Sequence, residues 1–94
     1  MPFPKQDARP FARQHIEAIK PGLLGCYGLF GGGQWIYVGK GDIRARLLAH
    51  LNGDNPCITR MAPTHYVDAV TPDMDRMEKQ LILELEPACN QKVG

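Results

Sequence analysis

Tyr27, Tyr37, Lys40, Arg46, His50 and Glu78 have types and spacings suited to holding an anion and moving a proton. Tyr27 and Tyr37 lie in two apolar runs that flank Gly31, Gly32, Gly33 and Gln34, the pattern of an antiparallel hairpin. Side chains alternate across a strand, so a suitable register brings both phenols to one face. Arg46 and His50 are four residues apart and stack along one edge of a helix, beside Lys40. Glu78 lies four after Met74, three before Leu81 and four before Ile82, inside the apolar stripe of another helix. A carboxylate there is unfavourable unless paired, protonated or bound to a metal. An ion pair with Arg46 or Lys40 meets that requirement, and so does a metal site. Residues 35–60 carry Lys40, Arg44, Arg46 and Arg60 against Asp42 and Asp54. Residues 71–86 are acidic, with Asp73, Asp75, Glu78, Glu84 and Glu86 against Arg76 and Lys79. A basic side facing an acidic helix suits a phosphodiester held near a metal.

Local sequence signals place these groups on a short series of elements. Residues 1–6, with two prolines and one phenylalanine, read as an extended, poorly fixed arm. Residues 7–20 set Phe11, His15, Ile16 and Ile19 at helical spacing with Pro10 in the first turn, and Pro21 and Gly22 stop that helix. Residues 23–30 and 35–38 are the hairpin strands. Gly39 and Gly41 then turn the chain into a helix over 43–52, capped by Asp42 and closed by Gly53. Asp54, Asn55 and Pro56 form a turn, followed by connecting chain over 57–63. Residues 64–70 read as a third strand, antiparallel to the edge of the hairpin. Thr71 and Pro72 open the last helix, which runs to about residue 86, where Pro87 ends it.

Ninety-four residues with a net charge of +1 fit one domain. With no run of ~18 apolar residues and no signal peptide, the expectation is a cytoplasmic protein with no membrane partner. Cys26, Cys57 and Cys89 are odd in number and widely spaced. They read as small buried packing residues of a reducing compartment, not as zinc ligands.

Gly25-Cys26-Tyr27, then Tyr37-Val38-Gly39-Lys40, then Arg46 and His50, then Glu78, and finally Pro87-Ala88-Cys89-Asn90 resemble the GIY-YIG nuclease domain in residue type and order. The likeness spans roughly residues 22 to 92. It leaves 1–21 as an N-terminal arm and helix extension and 22–94 as the nuclease-like domain. Cys26 stands where the family has a branched residue, on the strand face away from Tyr27. The link from Gly39 to Arg46 is one residue shorter than in many relatives, and Arg44 competes for the arginine position. The two arginines are about 200° apart around a helix, so only one faces the cleft. Arg46 shares a row with His50.

The resemblance implies an α/β (α+β) fold, a three-stranded antiparallel sheet flanked by helices, and a metal-dependent endonuclease acting on DNA. It implies catalytic roles for Tyr27, Tyr37, Arg46, His50 and Glu78, with substrate contacts from Gly39, Lys40, Arg44 and Asn90. Glu78 would hold a single Mg²⁺ or Mn²⁺, hard cations that one carboxylate and water suit better than they suit zinc. Arg46 would bond non-bridging phosphate oxygens. Tyr27 is the expected general base, with Tyr37 and His50 orienting water or sharing the proton transfer. A free phenol near ~10 is about a thousandth ionised at pH 7, so its neighbours would have to bring it down to roughly 8. With no separate DNA-binding domain in these residues, a partner protein or a dimer is expected to supply affinity. The alternative is a non-catalytic nucleic-acid- or protein-binding module retaining the fold. The joint presence of Tyr27, Tyr37, Arg46 and Glu78 favours the enzyme.

Overall fold

In the computed structural model, residues 3–90 are described. The elements are β1 (Arg9–Pro10), α1 (Arg13–Glu17), β2 (Leu24–Gly31), β3 (Gln34–Asp42), α2 (Ile43–Leu51), α3 (Pro56–Met61), β4 (His65–Val70), α4 (Met74–Leu85) and a closing 3₁₀ turn, Ala88–Asn90. The strands form one antiparallel sheet in the order β1-β4-β2-β3.

The hairpin closes more tightly than the run of glycines implied. Gly31 pairs with Gln34, and Gly32 and Gly33 between them have φ of 61° and 76°. A two-residue turn with positive φ at both positions matches the right-handed twist of its strands, and glycine adopts it without strain. At the other end β3 does not turn at Gly39. It pairs on through Gly39, Lys40 and Gly41 to Asp42, opposite Tyr27, Cys26, Gly25 and Leu24. The chain bends only at Asp42, whose carboxylate accepts from the Ala45 N–H at 3.0 Å and the Gly22 N–H at 3.0 Å. That side chain is the expected N-cap of α2, and Gly53 beyond its end has a positive φ of 89°.

The sheet is the middle layer. Tyr27, Leu29 and Tyr66 face Ile16 of α1, Ile43 and Leu47 of α2 and Ile58 of α3 in one apolar cluster. Cys26, Val38, Val67 and Ala69 face Leu81 of α4 and Phe3 in the other. The alternation of side chains along β2, β3 and β4 separates the two clusters.

The N-terminal segment departs from expectation. Residues 7–12 do not start a helix; Arg9 and Pro10 pair with Tyr66 and His65 as a fourth strand, and the helix is only Arg13–Glu17. Tertiary contacts outweigh the helical spacing here. Arg9 bonds Asp68 at 3.0 Å and lies over the Tyr66 ring, 4.7 Å from its centroid. The arm before it is fixed as well. Phe3 is buried and stacks on Trp35. The Gln6 amide donates to the Asp68 carbonyl at 2.7 Å and accepts from the Asp68 N–H at 3.0 Å, taking the place of a strand partner. Asn90 does the same at the opposite edge. Its amide accepts from the Val38 N–H at 2.7 Å and donates to the Val38 carbonyl at 3.0 Å. Two side-chain amides therefore clasp the two sides of the sheet.

Residues 56–61, expected as connecting chain, form α3, with Asn55 accepting from the Cys57 N–H at 3.0 Å and Pro56 in the first turn. The cysteine expectation needs a larger correction. Cys57 and Cys89 are joined in a disulfide, and only Cys26 is a free buried thiol. The bond ties α3 to the turn that carries Asn90. It also removes the ground on which a reducing compartment was expected. Helix α4 begins at Met74, with Thr71 accepting from the Asp73 N–H at 3.1 Å ahead of it. Among the described residues no helix is long and apolar enough to cross a membrane.

Candidate active site

Tyr27 on β2 and Tyr37 on β3 share one face of the hairpin, their ring centroids 6.3 Å apart. Register makes this possible: Tyr27 lies opposite Gly39, and Tyr37 opposite Leu29. Gly39 has no side chain because the Tyr27 ring fills that space; a Cβ there would overlap the phenolic oxygen and ring. Gly25 answers a similar demand, since a Cβ would run into the Ala69 carbonyl of β4. The two glycine–tyrosine patterns in the sequence are thus packing requirements as much as turn signals.

Helix α2 delivers the next two groups. The His50 ring is buried against both phenols, 5.5 Å from the Tyr27 centroid and 5.1 Å, edge-on, from that of Tyr37. Its Nε2 is 2.7 Å from the Tyr27 hydroxyl, and its Nδ1 is 2.7 Å from the Asp54 carboxylate. Burial holds the imidazole below its usual pKa, against the opposite pull of Asp54. One turn before it, Arg46 is exposed and acts on both phenols, whereas Arg44 is half-buried and acts on neither.

The phenols differ in access. Tyr27 has no exposed surface, and burial drives its pKa up strongly, with the Arg46 guanidinium opposing. Tyr37 is half-buried; burial raises it too, Arg46 lowers it, and Glu78 and Asp54 add to the rise. Among the protein groups around Tyr27, burial outweighs the opposing pull of Arg46.

Glu78 comes from α4, on the other side of the sheet. It reaches the same edge of β3, and Tyr37 responds to Arg46 from one layer and Glu78 from the other. Lys40 is exposed on β3, bonded to Asp75 and 3.6 Å from Glu78. The Glu78 side chain is 24% exposed, so the apolar stripe carries it to the rim, not into the core. Asn90 does not project into this space; both ends of its amide are engaged by Val38, between Tyr37 and Gly39. Its effect is to hold the strand that carries them.

No group of three or more His, Cys, Asp or Glu able to hold a metal occurs among the described residues. A zinc cage is not available from such a set. Mg²⁺, however, is commonly held by one or two carboxylates with water and substrate phosphate completing its shell. Glu78 and Asp75, one turn apart on α4, fit that demand by residue type, and a metal held there would displace the Lys40 ammonium that now bridges them.

Asp54 reads in the sequence as a turn residue, yet it stands four after His50, the spacing that brings two side chains together at a helix end.

No family model and no curated protein matches the sequence. Solved structures do. The GIY-YIG N-terminal endonuclease domain of UvrC from Thermotoga maritima, bound to its catalytic divalent cation, magnesium, matches with a TM-score of 0.70 at 22% identity, over 85% of this chain and 100% of that one. A tyrosine-to-phenylalanine point mutant of that domain matches with a TM-score of 0.71 at 22% identity, over 86% of this chain and 100% of that one. An asparagine-to-alanine point mutant matches with 0.65 at 20% identity, over the same shares, 86% and 100%. Both mutants are bound to the catalytic divalent cation. This chain has the GIY-YIG fold, with a fourth strand where three were expected.

Proposed function

We propose that the chain is a metal-dependent endonuclease that hydrolyses DNA phosphodiester bonds. The observation that carries this reading is the gathering of Tyr37, half-buried against Tyr27 and His50, within electrostatic reach of both Arg46 and Glu78. A phosphate lying there meets a cation that bonds its non-bridging oxygens, a hydroxyl that orients water, and a carboxylate suited to Mg²⁺ or Mn²⁺. The metal held by Glu78, beside Asp75, would act as Lewis acid and template. Tyr37 is half-buried beside His50 and takes the role of orienting the attacking water. Tyr27 has no exposed surface and its hydroxyl is committed to His50, so it supports Arg46 from behind. Lys40, with Arg44 on the flank, supplies positive charge for the DNA backbone. Gly39 lets Tyr27 approach, and Asn90 holds β3. This basic surface is small, so we expect weak intrinsic affinity and a contribution from a partner protein or a second copy.

The contact of Glu78 with Lys40 satisfies the carboxylate without a metal and favours a second reading, a nucleic-acid-binding module without catalysis. Incubating the protein with supercoiled plasmid, branched DNA and RNA, in Mg²⁺ and in EDTA, separates the two. Nicking in Mg²⁺ that EDTA abolishes supports the enzyme; binding with no cleavage in any metal selects the module.

A further inference from the structure

Asp54 is exposed, lies beyond the end of α2, and is hydrogen-bonded into the centre through His50. We propose that Asp54 is a positioning residue: by accepting a hydrogen bond from His50 Nδ1 it fixes the His50 tautomer and so sets the direction of the Tyr27 hydroxyl in the candidate site.

The argument is one of hydrogen-bond polarity. A carboxylate only accepts, so at 2.7 Å from Asp54 the Nδ1 atom must carry a proton. In a neutral imidazole the other nitrogen, Nε2, is then an acceptor. Tyr27, 2.7 Å away, must donate to it. The lone pairs of the phenolic oxygen are left to accept from outside. Arg46, which only donates, acts on that oxygen electrostatically, in agreement with this polarity. Both contacts in the chain Asp54–His50–Tyr27 thus have one donor and one acceptor. Remove Asp54, and the tautomer with a proton on Nε2 becomes available. Tyr27 would then accept from His50 and turn its own O–H away from the ring.

The inference rests on the nuclease reading of this site, and its test has two readouts. The first is ¹⁵N NMR of the imidazoles in the unmodified protein, which needs no activity. His50 is expected as the Nδ1–H tautomer, with Nε2–H growing in Asp54→Ala; an Nε2–H tautomer in the parent overturns the proposal. The second is a double-mutant cycle on Mg²⁺-dependent plasmid cleavage. Asp54→Ala should slow cleavage about ten- to a hundredfold. In a Tyr27→Phe background, where His50 has no hydroxyl to direct, the same substitution should change little. Losses that multiply independently overturn the proposal. A protein that cleaves no DNA defeats the nuclease reading, while the tautomer still decides the role of Asp54 at His50.

Discussion

Tyr27 and Gly39 are cross-strand partners in which the ring of one occupies the side-chain space of the other. The overlap that a Cβ would create falls on the phenolic oxygen and on the ring carbon that bears it, not on the end of a flexible chain. Tyr27 is also packed on its other sides and cannot retreat.

Gly39→Ala is therefore expected to destabilise by about 1–3 kcal/mol, as overpacking does in a filled core. It should also displace the hydroxyl from His50 and slow cleavage in the fraction that remains folded. Denaturant melts beside a nicking assay check this. A variant with parental stability and activity would mean that Tyr27 has room that its packing denies.

Protonation of His50 gives a pH dependence with a definite sign. The ring is faced by Tyr27 from β2, Tyr37 from β3, Arg46 from its own helix and Asp54 from the following turn. Burial and Arg46 lower its pKa and Asp54 raises it, with a net lowering. The unfolded chain therefore takes up the proton first, near about 6.5. The contribution is fully present above that pH and is lost as pH falls through the lower folded value. Stability by chemical denaturation should decline more steeply below about pH 6.5 in the parent than in His50→Asn. Parallel curves would contradict the assignment.

The Cys57–Cys89 bond closes a loop with a sequence separation of 32. Loop-closure entropy for that length gives about 3–4 kcal/mol. Reduction, or the double substitution Cys57→Ser and Cys89→Ser, should lower the melting temperature. Amide exchange at Val38 should quicken too, because the turn carrying Asn90 is freed at one end. Thiol counting offers a direct check: one free thiol is expected in the oxidised protein, and it is Cys26. Burial and the Glu78 carboxylate push that thiol up to about 11, so it should react only after unfolding.

What the sequence made legible were the local relationships. Strand alternation placed Tyr27 and Tyr37 on one face, helical spacing joined Arg46 to His50, and Asp42 and Gly53 bounded α2. The misses arose where distant residues decide. The fourth strand depends on Gln6 and Arg9 meeting Asp68, some sixty positions away, and helical spacing in residues 7–20 carried no sign of it. The disulfide needs α3 beside the C-terminal turn, a proximity that cysteine spacing does not encode. Gly39 and Gly41 look like turn formers; here they extend a strand, Gly39 because the Tyr27 ring occupies the space of its missing side chain, and Gly41 because the strand there takes a positive φ of 122°. Asp54 was visible by spacing but was absorbed into an Asp-Asn-Pro turn.

Glu78→Gln, assayed with and without Mg²⁺, tests the central claim most directly. The substitution keeps the shape of the side chain and removes its charge, while Lys40 retains Asp75 as a partner. In EDTA the variant should melt close to the parent, since the pair it loses is part-exposed and weak. Plasmid cleavage in Mg²⁺ should fall by orders of magnitude, with DNA binding retained or strengthened as negative charge leaves the cleft. A folded variant that still cuts DNA at close to the parental rate would contradict Glu78 as the residue that holds the metal.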